Sequence, residues 1–319
     1  MKAFRALALT AMAVCALHSS QPAAQQYPSK AVRGIVPFAA GGQSDVVARI
    51  IGQKLSERWS QPLLIENRAG ANGNIGTEAV VKSAPDGYTL FFPTSTLAVN
   101  AVIAPIPGFD VLKDLAAISL TGYADVVLTI APTLPVNTLQ ELVAYAKANP
   151  GKLNYGTTAI GASGHIGMEQ LKITTGADIQ MVNYTTIANL ISDLLSGRIA
   201  IFMTPPASVL AHIKAGKLKA LGVTGRKRLT SLQDVPTIVE SYPDFRMSTW
   251  YAVFAPEKTP ADIVSKVGAD IRWALGETDL RDKMAATGVD AEASTPDELR
   301  TLIRREIDAI AVLKKRGAL

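Results

Sequence analysis

The chain has 319 residues and a formal net charge of +5. Hydrophobic residues make up 48% and charged residues 18%, a globular balance that excludes a disordered chain. The basic residues are scattered, with no Lys/Arg stripe interleaved with aromatics, which argues against a nucleic-acid partner.

Lys2 and Arg5 precede an apolar run from Ala6 to Leu17, and small residues follow around Pro22 to Ala24. Residues 1–26 read as a secretory signal peptide, with the mature chain starting near Gln25 to Tyr27 in the periplasm. The run is shorter than the roughly 20 residues a membrane-spanning helix needs. Cys15 is the single cysteine and falls inside this segment, so the mature chain has no disulfide, thiolate metal ligand or cysteine nucleophile.

From Tyr27 onward, strands and helices alternate. Val32–Val36 is a short apolar strand. The spacing of Val47, Ile51 and Leu55 predicts a helix over 44–59 with one buried face. A strand over 62–65, a helix over 77–82 and a strand over 88–92 complete a β-α-β-α-β series, which predicts a mainly parallel sheet flanked by helices. A second series begins after Gly122: strands over 125–130, 153–156, 179–184, 199–203 and 218–223, with helices opening at Thr138, near Gly161 and at Ala188. Thr138 and Glu141 have capping-box spacing, as do Thr295 and Glu298 in the helical tail. The fold class is therefore α/β, a two-lobed architecture of the type II binding-protein kind, with a ligand cleft between lobes. The expected division is 27–124 and 250–319 for the first lobe and 125–249 for the second. Hinges are expected near Gly122 to Val126 and Ser248 to Tyr251.

Three strand-to-helix loops are rich in small and polar residues. The first runs from Pro37 to Asp45 and offers Phe38, Ala40, Gly41, Gly42, Ser44 and Asp45. Small residues permit close backbone approach, and the following helix directs free N–H groups and a positive dipole end at a guest, so a carboxylate or phosphate is the natural one. The second, from Gly156 to His165, repeats the pattern with Ala159, Gly161, Ser163 and His165; the third holds Thr94, Ser95 and Thr96. Asp45 is read as orienting its loop rather than as a base.

Catalytic signatures are sparse. The mature chain has two histidines, His165 and His212, and no GxSxG, HExxH or metal-ligand cluster. Ser163 and His165 stand two residues apart, an awkward spacing for a nucleophile and its base. No cofactor or metal is expected.

In combination, Tyr27–Lys30, Val36–Phe38, Glu66–Ala71, Gly73–Gly76, Ala84–Thr89, Ala146–Tyr155, His212–Leu218, Asp234–Thr237 and Phe254–Pro256 resemble the Bug-type solute receptors of tripartite tricarboxylate transporters over nearly the whole mature chain. The resemblance implies a monomeric, non-enzymatic receptor that captures a small organic carboxylate between hinged lobes and delivers it to a membrane permease. It places the main carboxylate anchor on the Phe38–Asp45 loop and a second-lobe contact on 159–165, with side contacts from Thr94 to Thr96. Tyr184, Thr185 and Thr204 are the distal contacts. There the chain departs from the family's Pro-Tyr-Lys-Gly-like loop and from a following Asp, which implies a less charged distal pocket. The alternative is an exported enzyme or a sensor using the same cleft.

Overall fold

The structure, a computed structural model, describes residues 27–158, 161–225, 227–245, 247 and 249–317. The expected signal segment and Cys15 lie outside the described residues. In chain order, β1 (Val32–Val36), α1 (Gln43–Trp59), β2 (Leu63–Asn67), α2 (Asn74–Val81), β3 (Thr89–Phe91), α3 (Thr96–Ile103) and β4 (Leu115–Ala124) come first. The chain continues through β5 (Val127–Ile130), α4 (Leu139–Ala148), β6 (Leu153–Thr157), α5 (Ser163–Thr175), β7 (Ile179–Asn183), α6 (Ile187–Ser196), β8 (Ile201–Thr204), α7 (Leu210–Lys214), β9 (Lys219–Val223) and α8 (Ile238–Ser241). It ends with β10 (Thr249–Pro256), α9 (Ala261–Gly276), α10 (Thr278–Ala286), β11 (Asp290–Ala291) and α11 (Pro296–Lys315).

Two sheets result, in the orders β11-β4-β10-β3-β1-β2 and β7-β6-β8-β5-β9. They are mixed rather than mainly parallel. The β-α-β stretches keep β1 parallel to β2 and β3, and β6 parallel to β7 and β8. The connections between sheets break the rule. β4 leaves the first sheet and β10 re-enters beside it, so the two run antiparallel, pairing Ala124 with Thr249 and Gly122 with Tyr251. β5 enters the second sheet and β9 leaves it, again antiparallel.

Each sheet has apolar cores on both faces. On the first, Val47, Ile51 and Leu55 of α1 pack with Val32, Val36 and Ile271, while Ile35 and Phe91 face Leu299 and Ile303 of α11 across the sheet. On the second, Leu142, Tyr155 and Met168 share one core, and Leu190, Leu194 and Phe202 another. The capping box at Thr295 and Glu298 forms as the spacing predicts. At Thr138 only half of it forms: the hydroxyl accepts from the Glu141 amide, but the Glu141 carboxylate takes the Asn137 amide instead.

Candidate functional site

The first and second loops have the same local build. Gly41 and Gly161 both lie in the left-handed region, at φ +80° and +83°. Gly42 and Ala162 follow as extended N-caps of α1 and α5, at φ −71°, ψ 163° and φ −63°, ψ 155°. The first intrahelical bonds are Val46 N to Gly42 O and Ile166 N to Ala162 O, each 3.0 Å. The third helical residue reaches back in both: Asp45 Oδ2 accepts from the Gly41 amide at 2.9 Å, and His165 Nδ1 accepts from the Gly161 amide at 3.0 Å. The left-handed glycine turns its N–H toward that side chain and leaves the amides of Gln43 and Ser44, and of Ser163 and Gly164, without an acceptor among the described residues. Each loop thus presents free donors at the positive end of a helix.

Asp45 is buried and fully engaged. Arg49 Nε donates to it at 3.0 Å, and Asn67 Nδ2 donates both to it at 2.9 Å and to the Phe38 carbonyl at 3.0 Å. Burial alone would raise its pKa, but hydrogen bonds from Arg49, the Gly41 amide and Asn67 outweigh it and hold the carboxyl below the ordinary carboxylate value. Asp45 therefore shapes its loop. His165 is buried against Tyr155, and burial lowers its pKa, so the imidazole is neutral with its proton on Nε2. Its Nδ1 is spent on Gly161, which leaves Ser163 without a base at that nitrogen.

A cavity of about 180 Å³ brings together Thr94, Ser95, Thr96, Gly161 and Ser163. The first three follow β3 in the first sheet, and the other two follow β6 in the second, so the cavity lies between the sheets. Thr94 and Thr96 share a hydroxyl hydrogen bond at 2.8 Å. Met247 and Thr249, on the returning crossing, close one side. The Thr249 hydroxyl is buried with no hydrogen-bond partner among the described residues. Of the expected anchor, Phe38, Ala40, Gly41, Gly42, Ser44 and Asp45 do not line this cavity.

The distal positions also lie outside it. Tyr184 braces its own loop, its hydroxyl donating to Asp193 at 2.7 Å and its amide to the Thr157 carbonyl. Thr185 is exposed, and Thr204 is buried at the end of β8 opposite Val127. Ala159 lies outside the described residues. Sequence reasoning missed a wall built by Val99 of α3, Ile166 and Gln170 of α5, and Glu306, Ala309 and Ile310 of α11. Ile166 stands three residues after Ser163 and so shares its helix face, a spacing that marked it. Nothing in the sequence tied α11 to the cleft.

Fold and site together define a two-lobed solute-binding protein. Residues 47–318 match the tripartite tricarboxylate transporter family receptor, and the chain belongs to that family. It is 38% identical over 299 residues to protein BugT of Bordetella pertussis, covering 92% of each chain. A TctC solute-binding protein from Polaromonas, solved without ligand, superposes with a TM-score of 0.83 at 26% identity, over 91% of this chain and 99% of that one. The R. palustris protein Rpa4515, solved with adipate, superposes at 0.72 with 31% identity, over 91% and 98%.

Proposed function

We propose that this chain is a periplasmic receptor that captures a small organic carboxylate between its lobes, leaves it chemically unchanged and delivers it to a permease of the tripartite tricarboxylate type. The observation that carries this reading is the cavity between the sheets, where the free N-terminal amides of α5 meet the Thr94–Thr96 hydroxyls and the unpartnered Thr249 hydroxyl. Backbone N–H groups and hydroxyls hold a carboxylate without a salt bridge, and hydrogen bonds to a charged acceptor contribute about 1.5–3 kcal/mol each. Membership of a receptor family and the adipate bound to a relative support the ligand class.

The lobes are read as residues 27–124 with 250–319, and 125–249, hinged where β4 gives way to β5 and where β10 begins. Ser248 of that second hinge lies outside the described residues. Capture by closure of the lobes follows from this division. Small-angle scattering with and without saturating carboxylate tests it: a shortened maximum dimension supports hinged capture, and tight binding with an unchanged profile of an open molecule contradicts it.

A further inference from the structure

Besides the hydroxyls and the α5 amides, two polar side chains line the cavity: Gln170 of α5 and Glu306 of α11, one from each lobe. Ser163, Ile166 and Gln170 recur on one face of α5. Gln170 stands about 10 Å along the helix axis from Ser163, so this face carries polar groups at two depths. The return segment ties Gln170 and Glu306 to one end. Met247 Cγ lies 3.6 Å from the position a β-carbon on Gly167 would take, one turn before Gln170. Trp250, just beyond Met247, donates its Nε1–H to Glu306 Oε2 at 2.6 Å. Gln170 is half-buried, and its side-chain amide has no hydrogen-bond partner among the described residues. Of the described side chains that line the cavity, only Glu306 is a charged type.

From this we infer that the ligand carries, at the end away from its carboxylate, a neutral group that both donates and accepts a hydrogen bond, a hydroxyl or a primary amide, and that Gln170 and Glu306 recognise it. The inference rests on the carboxylate-receptor reading and names its substrate class. A carboxylate accepts more than one hydrogen bond, so Glu306 can take a ligand donor while it holds Trp250. The Gln170 amide offers both N–H donors and a carbonyl acceptor. A hydroxyl placed between them donates to Glu306 and accepts from Gln170. A second carboxylate accepts from Gln170, but it has no proton to give Glu306 and brings a like charge towards it. A ligand that ends in a methyl group makes neither bond.

The test compares probes of equal carbon number by isothermal calorimetry on the protein. The probe 6-hydroxyhexanoate is set against adipate and hexanoate, with hexane-1,6-diol as the probe that lacks the carboxylate. Neutral hydrogen bonds contribute roughly two- to tenfold each in affinity. The expected result is 6-hydroxyhexanoate binding at least fivefold more tightly than adipate, hexanoate or the diol. Gln170→Leu should bring 6-hydroxyhexanoate down to the level of hexanoate and leave hexanoate within twofold. Glu306→Gln, which can still accept from Trp250, should narrow the gap between 6-hydroxyhexanoate and adipate. Adipate or hexanoate binding as tightly as 6-hydroxyhexanoate, or a folded Gln170→Leu variant that keeps the full preference, would overturn the inference and leave the carboxylate receptor standing. The diol matching 6-hydroxyhexanoate would overturn the receptor reading itself, and the inference with it. Failure of all four probes to bind a folded protein would overturn both.

Discussion

The Gly161 amide donates to Nδ1 of His165 at 3.0 Å, and this bond fixes the turn of the second loop together with the tautomer of the ring. Removing the acceptor leaves a buried N–H without a partner and a void against Tyr155. His165→Ala should cost about 1–3 kcal/mol of stability and weaken carboxylate binding at least tenfold. His165→Asn keeps an acceptor on a short side chain and should retain affinity within a few-fold. Thermal melts and calorimetry on the two variants check this. Equal affinities for Ala and Asn would show that the bond does not shape the site.

The two loops can be ranked by placing the same residue in each. Asn tolerates the left-handed backbone that Gly41 and Gly161 adopt, so it adds a side chain with little strain. At Gly161 that side chain enters the gap against Val99 and Ile103. At Gly41 it meets nothing within 4 Å. Gly161→Asn should lower affinity more than tenfold and Gly41→Asn less than threefold, with Gln53→Ala on the exposed face of α1 as control. Lys54 is unsuited to that purpose because its Nζ pairs with Asp279 at 3.1 Å. Loss of binding at Gly41 alone would move the anchor to the first loop.

Asp125 sits at the crossing from β4 to β5, 8% exposed, with its carboxylate packed against Gly225 just after β9. Burial, and then the charge of Asp290, push its pKa up from 3.8 to about 7. Between these values the folded chain holds a proton that the unfolded chain has released. Stability therefore falls as pH rises from about 4 to about 7 and stays lower above that. Asp125→Asn should raise Tm relative to the wild type at pH 8, and the gain should vanish towards pH 4. A gain independent of pH, or none at pH 8, would contradict the assignment.

Asp270 behaves in the opposite sense. It is buried in α9 and accepts from Arg58 Nε at 2.6 Å, Trp59 Nε1 at 2.7 Å and Lys266 Nζ at 2.9 Å. Burial raises its pKa, but the bonds from Lys266, Trp59 and Arg58 prevail and hold it below the ordinary value. Its contribution is present above the unfolded value of 3.8 and is lost as pH falls through the folded one. Asp270→Ala should cost about 3 kcal/mol at pH 7, with the gap to wild type narrowing at lower pH. Denaturant unfolding at the two pH values measures this.

Much of this was legible in the chain because local signals agreed with the fold. The Val47, Ile51 and Leu55 spacing gave α1 its buried face, and Thr295 with Glu298 marked the start of α11. β4 was not legible: its residues are buried on both faces apart from a half-buried Tyr123, so Leu115 to Ala124 shows no alternation to read. The antiparallel strands were missed for a related reason, since strand direction at a crossing depends on where the chain returns. At the site, glycines and hydroxyls announced the polar side. Ala309 and Ile310 look like ordinary core positions of a helix, and only the packing of α11 against α3 brings them to the cavity.

Calorimetric titration of the protein with hexanoate, adipate and malate tests the central claim most directly. A receptor predicts that at least one carboxylate binds with one-to-one stoichiometry and that the heat ceases at saturation. No binding by any of them, or heat that continues in proportion to excess ligand as turnover would produce, would contradict it.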